Sequence, residues 1–495
     1  MMANLATSTA GRLRKHKARL RVEPPYLAPV TLRDLQSGSS TPGRVPRLLM
    51  IAAFSVLVFP SNMVVESIGA SGTVPMLLAL TLFLFWVAST VFGLHDPIGF
   101  RHPGRIALAL LLLSTCMSYV ALQLGLTGGS AIVGRNAADR WLILMASTTG
   151  LIMVTTECVR TINDALMLVR AILAGAYFCC LVALTQFVFR VNPMEWIEAA
   201  MPLFVDNGGN TPFQARGALM RVAGSTFHSI ELAVVCSMLL PLSLWRGIFD
   251  PVGRKWMHWS GTALLIFAIA STVSRSGVLG LVIGISVAIP FLPKIARRWA
   301  AVVSPVVLAL LFLAVPGLMS TLFGSVTAGT SDPSISTRTD DYPRVAAMIA
   351  ERPLLGTGPG NFMSEGALYI LDNQYLNAAV TMGLIGLACV IVYLFVPGLA
   401  GVVAARAAAS PALKSLTGAV AAGCLVAGVC SLTFDSMSFP VFALIYPLLV
   451  GLFGAAWIMV KRELVLLRAL SARPHQNPQQ SANAASTNGG TVWTQ

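Results

Sequence analysis

Two arginines beside apolar segments are the residues of this sequence best suited to chemistry. Arg275 lies in the tight connection 271–277 between two apolar segments, and Arg221 lies in a polar stretch that leads into another. A charge at the edge of a membrane segment is costly unless it pairs or faces a polar cavity. The guanidinium is always charged and presents a planar fork of N–H donors that suits phosphate. Alternatively, the Arg275 side chain only extends along the apolar segment to place its charge in water at the membrane surface.

An acid and a histidine follow Arg221 within a few helical turns. His228 stands at the start of the next apolar segment, and Glu231 falls inside that segment. Acids within a membrane usually mark a binding site or a proton path. The alternative is an internal Arg–Glu pair that stabilises the start of the helix. Both interpretations stay open, and we take His228 and Glu231 as candidate substrate-binding residues.

A long polar connection at 321–374 carries further candidates. Arg338 and Arg344 flank a short charged run that opens a predicted loop helix, although such a run is usually a solvated face. The segment 353–362 is rich in glycine and includes Gly358 and Gly360. Glycine permits close approach of the backbone to a ligand. The segment lacks the pattern of a nucleotide-binding P-loop.

The same connection ends on an acid next to an amide. Asp372 and Asn373 precede Gln374 and then Tyr375, which opens the next apolar segment. We take Asn373 and Tyr375 as candidate substrate-binding residues. Asp372 is a candidate base or cation ligand. The alternative is a helix N-cap, since Asp and Asn are favoured there.

Composition indicates the elements that must position these residues. The 495 residues are 56% hydrophobic and 11% charged, whereas soluble domains carry roughly 25% charged residues. The chain is therefore predicted to be an all-α polytopic membrane protein. The net charge of +14 resides in the N-terminal tail and between apolar runs. This distribution argues against nucleic-acid binding and agrees with membrane topology.

The apolar runs predict about twelve transmembrane helices, each roughly 17–25 residues long. They form a domain over 47–460, between a disordered basic tail at 1–46 and a polar tail at 461–495. Two long outer loops are expected at about 190–228 and 321–374, the second partly helical. The predicted spans are 47–65, 72–94, 105–126, 140–158, 166–189, 229–248, 259–273, 276–293, 300–320, 375–397, 413–434 and 438–460.

Basic residues set the predicted orientation. Twelve spans place both termini on one side, and the loops on that side carry most of the basic residues. The short turns 66–71 and 434–437 on the other side carry neither Lys nor Arg. The short outer loop between the third and fourth spans carries Arg135 and Arg140 and agrees less well with this orientation. Cytoplasmic loops are rich in Lys and Arg, so both termini are predicted to be cytoplasmic. The basic residues of those loops are Arg101, Arg105, Arg160, Arg254, Lys255, Lys294, Arg297, Arg298, Arg406, Lys414, Lys461 and Arg462.

The eight cysteines show no metal-ligand or disulfide pattern. All lie in or at the edge of apolar segments, and none has CxxC spacing. They are interpreted as small membrane-core residues.

Together these motifs resemble the O-antigen ligase and polysaccharide polymerase superfamily of bacterial inner-membrane proteins. The resemblance covers about residues 215–390, in the family's order and on the predicted outer face. Its elements are Arg221 with Gly224 and Phe227, then Ser274-Arg275, then the loop arginine with Arg352–Phe362, and finally Asp372-Asn373 with Tyr375, Leu376, Gly383, Leu384 and Gly386.

The resemblance implies transfer of a glycan from undecaprenyl diphosphate, with inversion and with neither nucleotide, metal nor other cofactor. Arg221 and Arg275 would hold the diphosphate, Arg338 or Arg344 would help from the loop, and a loop base would deprotonate the acceptor hydroxyl. Ligases of the family commonly carry His-Asn where this chain has Asp372-Asn373, so the base role passes to Asp372. The partners implied are the lipid-linked glycan donor, membrane lipid, and a glycan, lipid or protein acceptor.

Two other functions remain open at this level. A transporter or flippase for a lipid-linked glycan would also have about twelve spans, but the chain shows no convincing internal repeat of the kind many transporters carry. A non-catalytic assembly protein would leave the loop arginines pointing apart into solvent.

Overall fold

The computed structural model describes residues 45–97, 99–126, 132–216, 219–314, 342–362 and 371–471. Helices dominate these ranges, as predicted. They are α1 (Arg47–Ser55), α2 (Val74–Val91), α3 (Pro103–Gln123), α4 (Ile132–Cys158), α5 (Ile162–Phe189), α6 (Met194–Ala199), α7 (Ser229–Phe249), α8 (Lys255–Ser271), α9 (Arg275–Ala288), α10 (Lys294–Ala314), α11 (Tyr342–Glu351), α12 (Gln374–Ala407), α13 (Pro411–Cys430) and α14 (Pro440–Ser471).

Short antiparallel strand pairs accompany the helices in the described ranges. Strand β1 (Met63–Val64) pairs with β2 (Val205–Asp206). Strand β3 (Phe213–Arg216) pairs with β4 (Leu219–Val222) in a hairpin that leads towards α7. Much of the predicted outer loop at 190–228 is therefore ordered by α6 and these strands.

Eight of the described helices are long and apolar enough to cross a membrane, which makes the chain a multi-pass helical membrane protein. Each coincides with one of the predicted spans. They are the helices at Val74–Val91, Pro103–Gln123, Gly134–Cys158, Ile162–Phe189, Ser229–Phe249, Gln374–Ala407, Pro411–Cys430 and Pro440–Ala469.

The other four predicted spans correspond to α1, α8, α9 and α10. The first predicted span, 47–65, is longer than α1, which ends at Ser55. The chain then continues through Pro60 to β1. Proline cannot continue a helix that needs its N–H. At the other end of the chain, α14 continues past the predicted boundary at 460 to Ser471.

Helices α7, α13 and α14 form the centre of the structure. Within their apolar windows 78%, 83% and 89% of residues are buried, against 22% in α2. Small residues let the backbones approach closely: a side chain at Gly423 of α13 would meet the Met238 carbonyl of α7. The segments that hold the candidate residues are attached to the ends of these central helices.

The basic loops meet at one end of the helices, which we call the basic end. There the Arg160 guanidinium lies over the Phe100 ring, 5.7 Å from its centre. The Trp245 ring donates to the Ala412 carbonyl at 3.0 Å, and the Ser415 hydroxyl donates to the Phe291 carbonyl at 2.6 Å. These contacts join the loops that the sequence places on one side of the membrane.

The opposite end, which we call the site end, carries Arg221 and Arg275. Helices α7, α9 and α14 begin there and α13 ends there. Its connections are joined by the Cys430 thiol, 3.4 Å from the Ser276 carbonyl, and by the Gln374 N–H, which donates to the Ser431 carbonyl at 3.0 Å.

Candidate active site

Arg221 is fixed by neutral oxygens. It lies on β4 opposite Gln214 of β3, and only 8% of the residue is exposed. Its Nη1 donates to the Gln214 side-chain oxygen at 3.0 Å, and its Nε donates to the Thr272 carbonyl at 2.7 Å. These two hydrogen bonds orient the Arg221 guanidinium.

The Thr272 carbonyl belongs to the turn that presents Arg275. That turn joins α8 to α9 and holds Val273 at φ 49°. A β-branched residue in this conformation is a genuine outlier. Such backbone strain costs of order 1–3 kcal/mol and clusters at functional sites. The bond from Arg221 to Thr272 therefore ties both predicted arginines to one strained turn, with Arg275 half-buried at the start of α9.

His228 caps the helix that follows Arg221. Its Nδ1 accepts a hydrogen bond from the Ile230 N–H at 3.1 Å, and its ring meets Phe439 edge-on with centroids 6.2 Å apart. Burial, and then the positive charge of Arg221, lower the pKa of His228 to about 4. The imidazole is therefore neutral near pH 7, and the accepted bond at Nδ1 leaves the proton on Nε2.

Glu231 accepts hydrogen bonds from three backbone N–H groups, and its role in substrate binding stays a prediction. It is fully buried. One oxygen accepts from the Val441 and Phe442 N–H groups at 2.7 and 2.9 Å, and the other accepts from the Phe227 N–H at 2.9 Å. A carboxylate is well suited to the N–H groups that a helix start leaves unsatisfied. Glu231 thus joins the start of α14 to the start of α7, in place of the Arg–Glu pair considered above.

The glycine-rich segment packs against neighbouring helices, and the role of Gly358 and Gly360 in substrate binding stays a prediction. The Thr357 and Gly358 N–H groups donate to the Val380 and Thr381 carbonyls of α12 at 3.0 and 2.9 Å. A side chain at Gly358 would meet Leu122, and one at Gly360 would meet Ala137 and Trp141. Both glycines have positive φ and face protein atoms. They let this segment lie against helices α3, α4 and α12.

The segment lies where α12 breaks. Gly383 has φ 68° and ψ −170°, so the helix stops and restarts there. The rings of Tyr375 and Phe395 nevertheless stack with centroids 6.4 Å apart, whereas a continuous helix would separate these positions by about 30 Å. The first part of α12 therefore folds back along the second. The predicted span at 375–397 therefore contains a break at Gly383.

This fold-back returns the start of α12 to the end of α13. Asn373 is the N-cap, with its side-chain oxygen accepting from the Tyr375 N–H at 2.9 Å. The Tyr375 hydroxyl donates to the Gly428 carbonyl at 2.5 Å, and 8% of the residue is exposed. These contacts make Asn373 and Tyr375 anchors of the segment, and their role in substrate binding stays a prediction. Asp372 precedes the cap and is exposed.

A second carboxylate, Asp435, lies beside this segment and was missed from the sequence. It accepts from Ser438 at 2.6 Å and from the Asn377 side chain at 2.8 Å, both at Oδ2. Its buried Oδ1 has no hydrogen-bond partner among the described residues. Burial raises the pKa of Asp435 to about 6, the bonds from Ser438 and Asn377 oppose this, and the charge of nearby Asp372 adds to it. The sequence feature that could have identified Asp435 is its position as an acid in a short outer turn of a chain with few charged residues.

The loop arginines are described only in part. Arg338 lies outside the described residues. Arg344 is half-buried on α11, next to Val345, which packs in a small apolar cluster with Leu371 and Val380. This cluster sets α11 against the segment that carries Asp372. The described residues bring together no group of three or more His, Cys, Asp or Glu that could hold a metal ion.

Comparison with known proteins supports the resemblance drawn from the motifs. Residues 260–391 match the family model described as O-Antigen ligase. The matched range includes Arg275, Arg344, Asp372 and the break at Gly383, while Arg221 and Asp435 lie outside it. The match spans 132 of the 495 residues and supports the resemblance to the O-antigen ligase and polymerase superfamily. No curated protein matches the chain.

Proposed function

We propose that this chain transfers a glycan from a polyprenyl (undecaprenyl) diphosphate carrier to an acceptor hydroxyl at the outer face of the bacterial inner membrane. The observation that carries the proposal is the bond from Arg221 to the Thr272 carbonyl, which joins Arg221 to the turn of Arg275. In this proposal the site end faces outward and both termini are cytoplasmic, in keeping with the basic loops at the other end.

The two arginines hold the diphosphate. As the glycosidic bond breaks, negative charge develops on the leaving diphosphate, and fixed donors stabilise that charge best when they need no reorganisation. The short bonds of Arg221 to Gln214 and Thr272 provide this fixation. Arg344, and Arg338 from the same loop, would contribute further positive charge. The glycan donor's polyprenyl chain would remain in the lipid.

A pair of carboxylates receives the proton of the acceptor. Asp372 is the exposed member, and Asp435 lies close enough for their charges to interact. A base works best with a pKa near the working pH, and burial raises the pKa of Asp435 to about 6. The acceptor oxygen bonds to the anomeric carbon as its proton moves to this pair. The bond from that carbon to the diphosphate oxygen breaks, and one displacement inverts the configuration.

The resemblance further implies that neither nucleotide nor metal takes part and that the acceptor is a hydroxyl of a glycan, a lipid or a protein. Guanidinium groups then take the role that a cation takes in many phosphate sites.

Complementation of a deletion strain tests the proposal. We expect wild type to restore glycan assembly. Arg275→Ala and Asp372→Ala should be present in the membrane at normal levels, accumulate the lipid-linked precursor and make no product. Arg254→Ala is the matched control, since Arg254 is exposed at the basic end. Normal assembly by both site variants would overturn the arginine clamp and favour a transporter or flippase.

A further inference from the structure

A cavity of about 420 Å³ opens at the basic end, away from the residues used above. It lies between the end of α9 with its following turn, the second part of α12 and the start of α13. Two basic residues and four apolar residues form most of its lining. They are Arg406, Lys414, Val287, Pro290, Phe291 and Val402.

The cavity and the candidate active site lie at opposite ends of the same helices. Helix α9 begins at Arg275 and ends at Ala288, and α13 runs from Pro411 to Cys430. A rise of 1.5 Å per residue separates Lys414 from Cys430 by roughly 24 Å, most of the roughly 30 Å hydrocarbon thickness of a bilayer. The cavity therefore sits at one membrane surface when the active site sits at the other.

Both cations of the cavity are available for an anion. Neither Arg406 nor Lys414 forms an ion pair among the described residues. The acid held at this connection is Glu463, whose two oxygens accept the Ala409 and Ser410 N–H groups at 2.9 Å each. Both oxygens of Glu463 thus bond to the backbone just before α13, and Glu463 forms no ion pair with Arg406 or Lys414 in the described part of the chain.

The position of Lys414 is the more informative of the two. It lies in the first turn of α13, where the helix dipole disfavours a cation. Arg406 lies in the last turn of α12, where a cation suits the helix in any case. The dipole of α13 therefore does not stabilise the charge of Lys414. A bound anion would stabilise that charge.

The apolar side of the cavity extends from these cations along Val287 and Val402, both half-buried, to the buried ring of Phe291. Positive charge at the surface and an apolar wall behind it match a phosphate headgroup and an acyl chain. Basic pockets between transmembrane helices at the cytoplasmic side are suited to anionic lipids.

We propose that this cavity binds an anionic phospholipid of the cytoplasmic leaflet, with its phosphate between Arg406 and Lys414 and an acyl chain against Val287, Phe291 and Val402. Two cations without acidic partners select a lipid with net negative charge over a zwitterionic one. The proposal uses the orientation given above and is independent of the transfer reaction.

Lipid titration of the purified full-length protein in detergent tests this. Native mass spectrometry and the unfolding midpoint would follow addition of phosphatidylglycerol or phosphatidylcholine. Each basic residue near a membrane surface contributes about 1 kcal/mol to anionic lipid binding. The double variant Arg406→Gln/Lys414→Gln should therefore weaken phosphatidylglycerol binding roughly tenfold or more. Phosphatidylcholine should bind weakly to both proteins.

The matched control is Arg101→Gln/Arg254→Gln, which removes the same charge from exposed positions at the basic end. It should retain phosphatidylglycerol binding. Equal binding by the two double variants would overturn the proposal. So would equal stabilisation by glycerol phosphate, which has the headgroup without acyl chains and would indicate a site for a free anion.

The apolar wall has its own variant, Val402→Trp, which fills the cavity and leaves both cations in place. An unchanged unfolding midpoint without lipid shows that the fold is intact, and phosphatidylglycerol binding should then fall. Full binding by a folded Val402→Trp protein would contradict the acyl-chain position.

Discussion

Two aspartates, one at the basic end and one at the site end, differ in the partners that hold their carboxylates. Asp250, at the basic end, accepts from Arg170 at 2.5 and 2.9 Å and from Arg246 at 3.2 Å. Asp435, at the site end, has only neutral donors on one oxygen, and its other oxygen has no hydrogen-bond partner among the described residues. Burial raises the pKa of both, but the Arg170 bonds lower that of Asp250 to about 2, whereas that of Asp435 rises to about 6.

The arginines show the same contrast. Arg170 and Arg246 meet a carboxylate, which satisfies their charge within the fold. At the site end, the Arg221 Nε and Nη1 donate to the Thr272 carbonyl and the Gln214 side-chain oxygen. Ion pairs thus stabilise the basic end, while hydrogen bonds to Thr272 and Gln214, and from Ser438 and Asn377 to Asp435, position charged groups at the site end.

Removing the Asp250 carboxylate should have the largest effect on stability. Loss of one partner from a buried ion pair costs roughly 3 kcal/mol or more, so Asp250→Ala should markedly lower the unfolding midpoint in detergent. The lowered pKa means that the stabilisation is complete above the ordinary pKa of aspartate and is lost as the pH falls towards about 2. Glycan transfer per folded molecule should be unchanged. An Asp250→Ala variant as stable as wild type would contradict the claim that ion pairs stabilise the basic end.

The opposite behaviour is expected of Asp435→Asn. A raised acid pKa makes ionisation unfavourable to folding, and this cost grows as the pH rises from about 4 to about 6. The amide should therefore leave stability unchanged or higher at pH 7. Transfer should fall by roughly a hundredfold, the usual contribution of a proton acceptor. The transfer rate of wild type should rise with pH through about 6. The rate of the variant should not show this increase. Normal transfer by the variant would contradict a role for Asp435.

The break in α12 supports the site end and predicts a smaller loss. Alanine at Gly383 would face the Leu354 carbonyl in a conformation that only glycine adopts readily, so the cost should be roughly 1–3 kcal/mol. Transfer should fall as Asp372 and Asn377 shift relative to Asp435. Gly93→Ala is the control, since Gly93 also has positive φ (65°) but has nothing within 4 Å of the added carbon. Equal losses in the two variants would show that the fold-back contact has no special effect.

The smallest effect is expected at His228. His228→Ala removes a helix cap, which costs about 1 kcal/mol, and should reduce stability and transfer modestly. His228→Asn keeps a capping acceptor and should restore both. Transfer lost in the asparagine variant at normal stability would instead indicate that the imidazole contacts substrate.

Local sequence patterns predicted the transmembrane helices and the basic loops at one end, because apolar length and charge placement are read along the chain. The fold-back at Gly383 was missed, since the apolar pattern runs through it without interruption. Its stability comes from distant groups: the Thr357 and Gly358 N–H groups satisfy carbonyls that the break leaves open, and the Pro353 carbonyl accepts from Leu384 at 2.8 Å.

The candidate site was likewise predicted in part. The sequence singled out Arg221, Arg275 and Asp372, and their roles stay predictions. It did not identify the backbone contacts of Glu231, because two of its three partners lie 210 and 211 positions away. Asp435 was missed for the same reason, since Asn377 reaches it only after the fold-back.

The central claim is that Arg275 stabilises the departing diphosphate. The direct measurement is release of polyprenyl diphosphate from a synthetic lipid-linked sugar by purified protein in liposomes. It would compare wild type, Arg275→Ala, Arg275→Lys and the control Arg254→Ala at equal folded amounts. We expect Arg275→Ala to be slower by roughly a hundredfold to a thousandfold, lysine to recover part of the rate, and the control to match wild type. An Arg275→Ala rate equal to that of wild type would contradict the account.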